Sequence, residues 1–152
     1  MITRDDVMPL LLAACPSFAT TWSTDLEHDD VHLNEDGTRL HHLDAAVFAT
    51  HLVALQRAGE DDEVRAAFAV IERLHVEGDA YVRELATIGY LEDVDDVEGD
   101  VASHPDELAF VESVLGPDSA RWWRGLRAFW GGRASFVTRT DAEGQRSVTS
   151  PG

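Results

Sequence analysis

A chain of 152 residues, 44% hydrophobic and with four Trp and six Phe, carries enough apolar material for one domain with its own core. Its net charge of −17, with every basic residue an Arg, sets up a surface that repels nucleic acid and anionic lipid and attracts a basic partner. The lone Cys15 excludes an internal disulfide, the acidic start MITRDD lacks the pattern of a signal peptide, and no apolar run reaches the ~20 residues of a membrane span, so the sequence predicts a cytoplasmic protein.

The charge is uneven. Residues 1–118 hold six Arg and 27 acids, a balance of −21, whereas residues 119–152 hold six Arg and two acids, a balance of +4.

Thr3-Arg4-Asp5-Asp6 has the spacing of a capping box with Asp in place of Glu. Val7, Met8, Leu10, Leu11 and Ala14 then follow helical spacing until Pro16, and Pro9 suggests a kink. Ser17 opens a second helix with Phe18, Trp22 and Leu26 along one face. Residues 31–40 break the pattern, and Asp36-Gly37 between short extended flanks predicts a small hairpin. His42 to Ala58 reads as a third helix with Val47, Phe48, His51, Leu52 and Leu55 on one side, stopped by Gly59. Glu60, Asp61, Asp62 and Glu63 open the fourth, where negative charge suits a helix N-terminus. Its apolar face carries Val64, Phe68, Ile71, Leu74 and His75.

The stretch Asp79 to Val94, DAYVRELATIGYLEDV, is the expected centre of the fold. Tyr81, Val82, Leu85, Ile88, Gly89 and Leu91 make an apolar arc too wide for a surface helix. Asp79 offers an N-cap oxygen, and Gly89 in a helix interior implies a close neighbour. Glu92 falls in line with Tyr81, Leu85 and Ile88, on the side expected to be buried. An acidic run follows, with Asp93, Asp95, Asp96, Glu98 and Asp100. A short sixth helix after Pro105 and a seventh from Asp118 to Trp130 complete the series. The seventh places Trp122, Trp123, Leu126, Phe129 and Trp130 on one arc, expected to be core. The fold class is therefore all-α, a compact bundle or short α-solenoid-like array of about seven helices in one domain over residues 1–130. Residues 131–152 have no periodicity and read as a largely disordered tail, with one strand conceivable within 135–140.

Chemistry is sparse. The chain contains no glycine-rich phosphate loop, nucleophile elbow or paired-cysteine motif. His28 and His32 lie beyond a helix end, and His41 and His42 are adjacent and so point about 100° apart on a helix. His42 or Asp44 fits a capping role better than a metal-binding one. The candidate polar cluster is His51, His75 and Glu92, one residue on the apolar face of each of three consecutive helices. No metal or other cofactor is expected.

ELATIGYLEDV, an acidic loop and then LGPDSARWWRGLRAFW, together with FATHLVALQRAG and FAVIERLHVEGD, resemble a family of small, acidic, uncharacterised bacterial proteins. The resemblance covers about Val7 to Trp130. It implies an all-helical fold and no known catalytic residues, with relatives among candidate immunity proteins of toxin systems. The function expected from all of this is non-enzymatic binding of a basic protein, in the manner of an immunity-like inhibitor, through Glu60–Glu63 and the run from Asp93 to Asp100. A metal-dependent enzyme using the histidine–glutamate cluster and an adaptor subunit are the alternatives.

Overall fold

A computed structural model describes residues 1–97, 104–132, 137–142 and 145–146. The fold is all-α. Helix α1 (Arg4–Ala14) starts as its sequence directs: the backbone N–H and hydroxyl of Thr3 both donate to Asp6, at 2.9 and 3.0 Å. Those bonds hold the Asp6 carboxyl below its usual range. Ahead of it, Ile2 exchanges backbone hydrogen bonds with Glu77 and Asp79, fastening the N-terminus to the far end of the fourth helix. Pro16 opens a 3-10 turn (Pro16–Phe18) that passes into α2 (Ala19–Thr21) and a π-helical turn (Trp22–Leu26).

The expected hairpin reduces to one antiparallel bridge, Leu33 to Arg39, with Gly37 at φ 83° in its turn. Asp36 holds that turn by accepting from the backbone and hydroxyl of Thr38. A 3-10 turn, Asp30–His32, occupies what the sequence suggested was the first extended arm.

Helices α3 (His41–Arg57) and α4 (Asp61–Glu77) follow with a short turn at Gly59, whose φ of 79° favours glycine. Both bury one long face. Phe48, Leu52 and Ala45 lie inward on α3, as do Phe68, Ile71 and Leu74 on α4. The central stretch then runs without a break through α5 (Ala80–Glu84), a π-helical segment (Leu85–Leu91) and α6 (Glu92–Asp96). Asp79 caps it by accepting from Val82 N–H at 2.9 Å. Gly89 admits α3, since a Cβ there would sit 3.4 Å from that of Ala45.

The π segment corrects the expected arc. Its i→i+5 bonding widens the turn and shifts the phase of every later residue. Tyr90, Ala86 and Thr87 are buried, while Ile88 is 36% exposed. Tyr81, ahead of the segment, is half-buried beneath the Arg4 guanidinium. Glu92, one turn beyond Ile88, moves to a half-exposed position instead of the interior.

Helix α7 (Pro105–Val114) lies beside α4, and Arg57 of α3 reaches Glu107 at 2.7 Å. Helix α8 (Pro117–Trp130) packs on α4 and the π segment, with Trp123 and Leu126 fully buried. The core expectation fails for Trp130, which is 61% exposed beside Glu92, Asp95 and Asp96 of α6, and Trp122 and Phe129 are only half-buried.

The tail also departs from the expectation of disorder over residues 137–142. A Cβ on Gly125 would collide with the Thr138 carbonyl, so glycine lets the returning chain lie directly on α8. Arg124 donates to the Thr140 carbonyl at 2.9 Å. A two-stranded pair, β1 (Thr140–Ala142) with β2 (Gln145–Arg146), follows.

Candidate functional site

Four carboxylates, Glu92, Asp93, Asp95 and Asp96, lie on the one short helix α6. Burial raises the Asp93 carboxyl to about 6, and the neighbouring charges of Glu92 and Asp96 push the same way. Glu92 is likewise raised, mainly by burial and then by Asp96. Asp95 is partly answered by Arg127 of α8 at 3.0 Å. Beside them, exposed Trp130 closes a shallow depression of about 260 Å³ lined by Glu92, Asp95, Asp96 and itself. An open indole face next to carboxylates suits a guanidinium or ammonium, through cation–π attraction and ion pairing together. Glu98 and Asp100, expected to extend this surface, lie outside the described residues.

The other expected acidic run divides. Glu60 and Asp62 are exposed and Asp61 is half-exposed at the start of α4. Glu63 turns toward the domain and accepts the Ser17 N–H at 2.9 Å, which lowers its pKa. It serves the junction between α1 and α2 rather than a partner.

The cluster of His51, His75 and Glu92 does not assemble. His75 has one ring nitrogen on the Ser119 hydroxyl and the other on that of Thr87, both at 2.9 Å. Burial pulls its pKa down to about 4, so the ring is neutral. Glu72 accepts the N–H groups of Asp118 and Ser119 at 3.1 and 2.8 Å, capping α8 directly above this histidine. His51 contacts the Ser17 hydroxyl at 2.8 Å and tilts against Phe18. Burial lowers its pKa too. The Ser17 N–H is committed to Glu63, so this Ser–His pair has lost the backbone donor nearest a developing oxyanion. The histidine charge that acts on Glu92 is that of His42, not of His51 or His75. Among the described residues no group of three or more His, Cys, Asp or Glu side chains is placed to hold a metal ion.

Sequence reasoning missed a buried charge network. Asp44, 1% exposed, accepts from Arg39 Nε at 2.8 Å and lies 2.9 Å from His32 Nδ1. It is an interior residue of α3, not the cap, which is Leu40. Arg39 also donates to the carbonyls of Glu27 and Leu26 and lies 4.3 Å over the Trp22 ring, so one side chain ties the loop to the helix. The signal was faint, an Arg five residues before an Asp across a turn.

Arg39 of this network lines a cleft of about 1030 Å³ between α1, Trp22, the loop 34–40 and the start of α3. At its other end Arg4 lies 4.2 Å over Tyr81, and His41 and His42 meet the same ring edge-on. Burial, and after it Arg4 and Arg39, lowers the pKa of His41 against the pull of Asp44.

A family described as a domain of unknown function, DUF7674, matches residues 8–131. The chain belongs to that family. No curated protein and no solved structure matches it. The family boundary starts within α1, includes α2 to α8 with the carboxylates of α6 and Trp130, and stops before the residues that fold back on Gly125. The resemblance read from the sequence, Val7 to Trp130, covers the same stretch, and the family is an uncharacterised one. No described helix is long and apolar enough to cross a membrane.

Proposed function

We propose that this is a protein-binding module whose partner is basic, and that the contact is made by α6 and Trp130. The observation that carries the reading is the depression that exposed Trp130 forms with Glu92, Asp95 and Asp96, with Asp93 half-buried on the same helix and raised to about 6. A carboxylate half-buried among like charges is held at a cost in the free protein. A partner's Arg or Lys arriving beside it relieves that cost, so the interaction is stronger than for an acid already at ease in water. Trp130 supplies what the charges lack, a large apolar anchor of the residue type enriched at interface hot spots. The net charge of −17 steers such a partner from a distance and disfavours nucleic acid. Within this reading, an immunity-like inhibitor that covers a basic toxin in the cytoplasm of a bacterium is the specific form suggested by the sequence resemblance. No catalytic step, metal or cofactor is required for it.

The test is recovery of partners from the native host on immobilised protein, run beside the double variant Asp93→Asn/Asp96→Asn. The expected result is a basic protein captured by the parent and lost with the variant, with an association rate that falls steeply as salt rises. Equal recovery on both, or capture only of acidic proteins, overturns the reading.

A further inference from the structure

The cleft against α1 has an apolar floor and a polar rim. Met8, Pro9, Leu12, Leu40 and Leu43 contribute its aliphatic surface, and Leu43 is 42% exposed although it stands at the first turn of a core helix. At about 1030 Å³ the space is at the upper end for small-molecule sites, which run to roughly 1,000 Å³. Its length, from Trp22 and Glu27 past the turn at Asp36 to Tyr81, suits a segment of chain better than a single compact ligand.

The rim decides the charge of the occupant. Asp5, Glu27 and Asp36 line it, against the guanidiniums of Arg4 and Arg39. Arg39 is already neutralised by Asp44 with two bonds of 2.8 Å. Arg4 keeps its charge over Tyr81 but is outnumbered by Asp5, Glu27 and Asp36, so the charge left facing the cleft is acidic. A second copy of this chain, with its net charge of −17, is repelled from such a rim. So is an acidic or phosphorylated segment.

We propose that this cleft takes an amphipathic segment of the basic partner, its apolar side chains on the Leu12–Leu43 floor and its Lys or Arg side chains at Asp5, Glu27 and Asp36. The inference rests on the reading of a basic partner given above, and it adds a second contact separate from α6 and Trp130. Two contacts on one partner raise affinity through effective concentration, which a single acidic patch does not do.

The experiment uses the full chain and three fluorescent synthetic probes of about four helical turns each. One sets Leu at i, i+3, i+4 and i+7 spacing with Lys elsewhere as an amphipathic helix, one replaces Lys by Glu, and one keeps the Lys charge but replaces every Leu by Gly or Ser. Anisotropy is measured with the parent protein, with Leu43→Asp, and with Trp130→Ala. Leu43 is exposed enough for Leu43→Asp to fold, which a melting curve verifies. The Leu–Lys probe is expected to bind the parent, to lose at least about tenfold in affinity to Leu43→Asp, and to lose far less to Trp130→Ala. The Lys-only probe is expected to bind weakly and equally to all three proteins. Leu–Lys affinity unchanged in Leu43→Asp, or a Leu–Glu probe binding as tightly, overturns the cleft assignment. Neither result touches the α6 surface, whose own test is loss of the host partner in Asp93→Asn/Asp96→Asn.

Discussion

Around His75 and around Asp93 the chain places ionisable groups in apolar company, and it treats them in opposite ways. His75 finds a hydroxyl for each ring nitrogen, from Ser119 on α8 and Thr87 on the π segment, and stays neutral. Asp93 is pressed between Glu92 and Asp96 and ionises only above a pH of about 6. The first arrangement joins three helical segments and has every polar group matched. The second adds nothing to the fold that a neutral residue would not supply better. Matched polar groups belong to architecture, and an unmatched set retained at a surface beside an open Trp is where a partner can contribute binding energy.

The largest expected effect lies on the His75 side. His75→Ala leaves two buried hydroxyls without a partner and a cavity, and is expected to cost about 3 kcal/mol, read from urea unfolding. The comparison has a pH dimension as well. The folded pKa of His75 is depressed from 6.5 to about 4, so its contribution is complete above pH 6.5 and is lost as pH falls toward 4, by about 3 kcal/mol in all. His75→Gln should flatten that decline. Equal pH slopes for the parent and His75→Gln across this window would mean the ring is reached by water.

Asp93 has the reverse sign. Its folded pKa is raised from 3.8 to about 6, so ionisation opposes folding at neutral pH and the penalty disappears as pH falls through that interval. Asp93→Asn is expected to stabilise the protein near neutral pH by about 1 kcal/mol after allowance for its half-exposure, with the gain gone at acidic pH. Destabilisation by this variant would move Asp93 into the architectural class. Smallest of all, Trp130→Ala should change stability by less than about 1 kcal/mol, since most of the ring is already in water. A loss of several degrees in melting temperature would place Trp130 in the core after all and remove the anchor from the proposed surface.

The readable parts of the fold were those with local physics. Periodicity located α3 and α4, the Asp79 cap and the Gly59 stop followed from single residues, and Gly89 marked a close approach that α3 does make. What could not be read depended on distant partners or on a change of helix type. Ile88 and Tyr90 exchange their expected environments because the period used to place them does not hold through Leu85–Leu91. Asp44 looked like a cap because its partners, Arg39 and His32, are brought to it by a loop. Gly125 gave no hint that Thr138 would lie upon it. For the candidate surface, composition pointed to the acids of α6, but the aromatic arc of α8 concealed that its last member faces out. Glu63, by contrast, sits in an acidic run and is engaged in holding Ser17.

The π segment has a consequence for how the acidic face is aimed. Residues before it, such as Val82, and after it, such as Val94, are both buried, yet the angle between the two ends is set by backbone hydrogen bonding and not by any side chain. In an ordinary α-helix a one-residue gain or loss swings everything downstream by about 100° around the axis, whereas a π segment takes up one residue within its wider turn. Substitutions on α6 alter which charges are displayed, whereas the wide turns of Leu85–Leu91 hold the direction in which they are displayed. Among related chains, a single-codon loss at this place can be absorbed by a return to α geometry that leaves the carboxylates of α6 aimed nearly as they are.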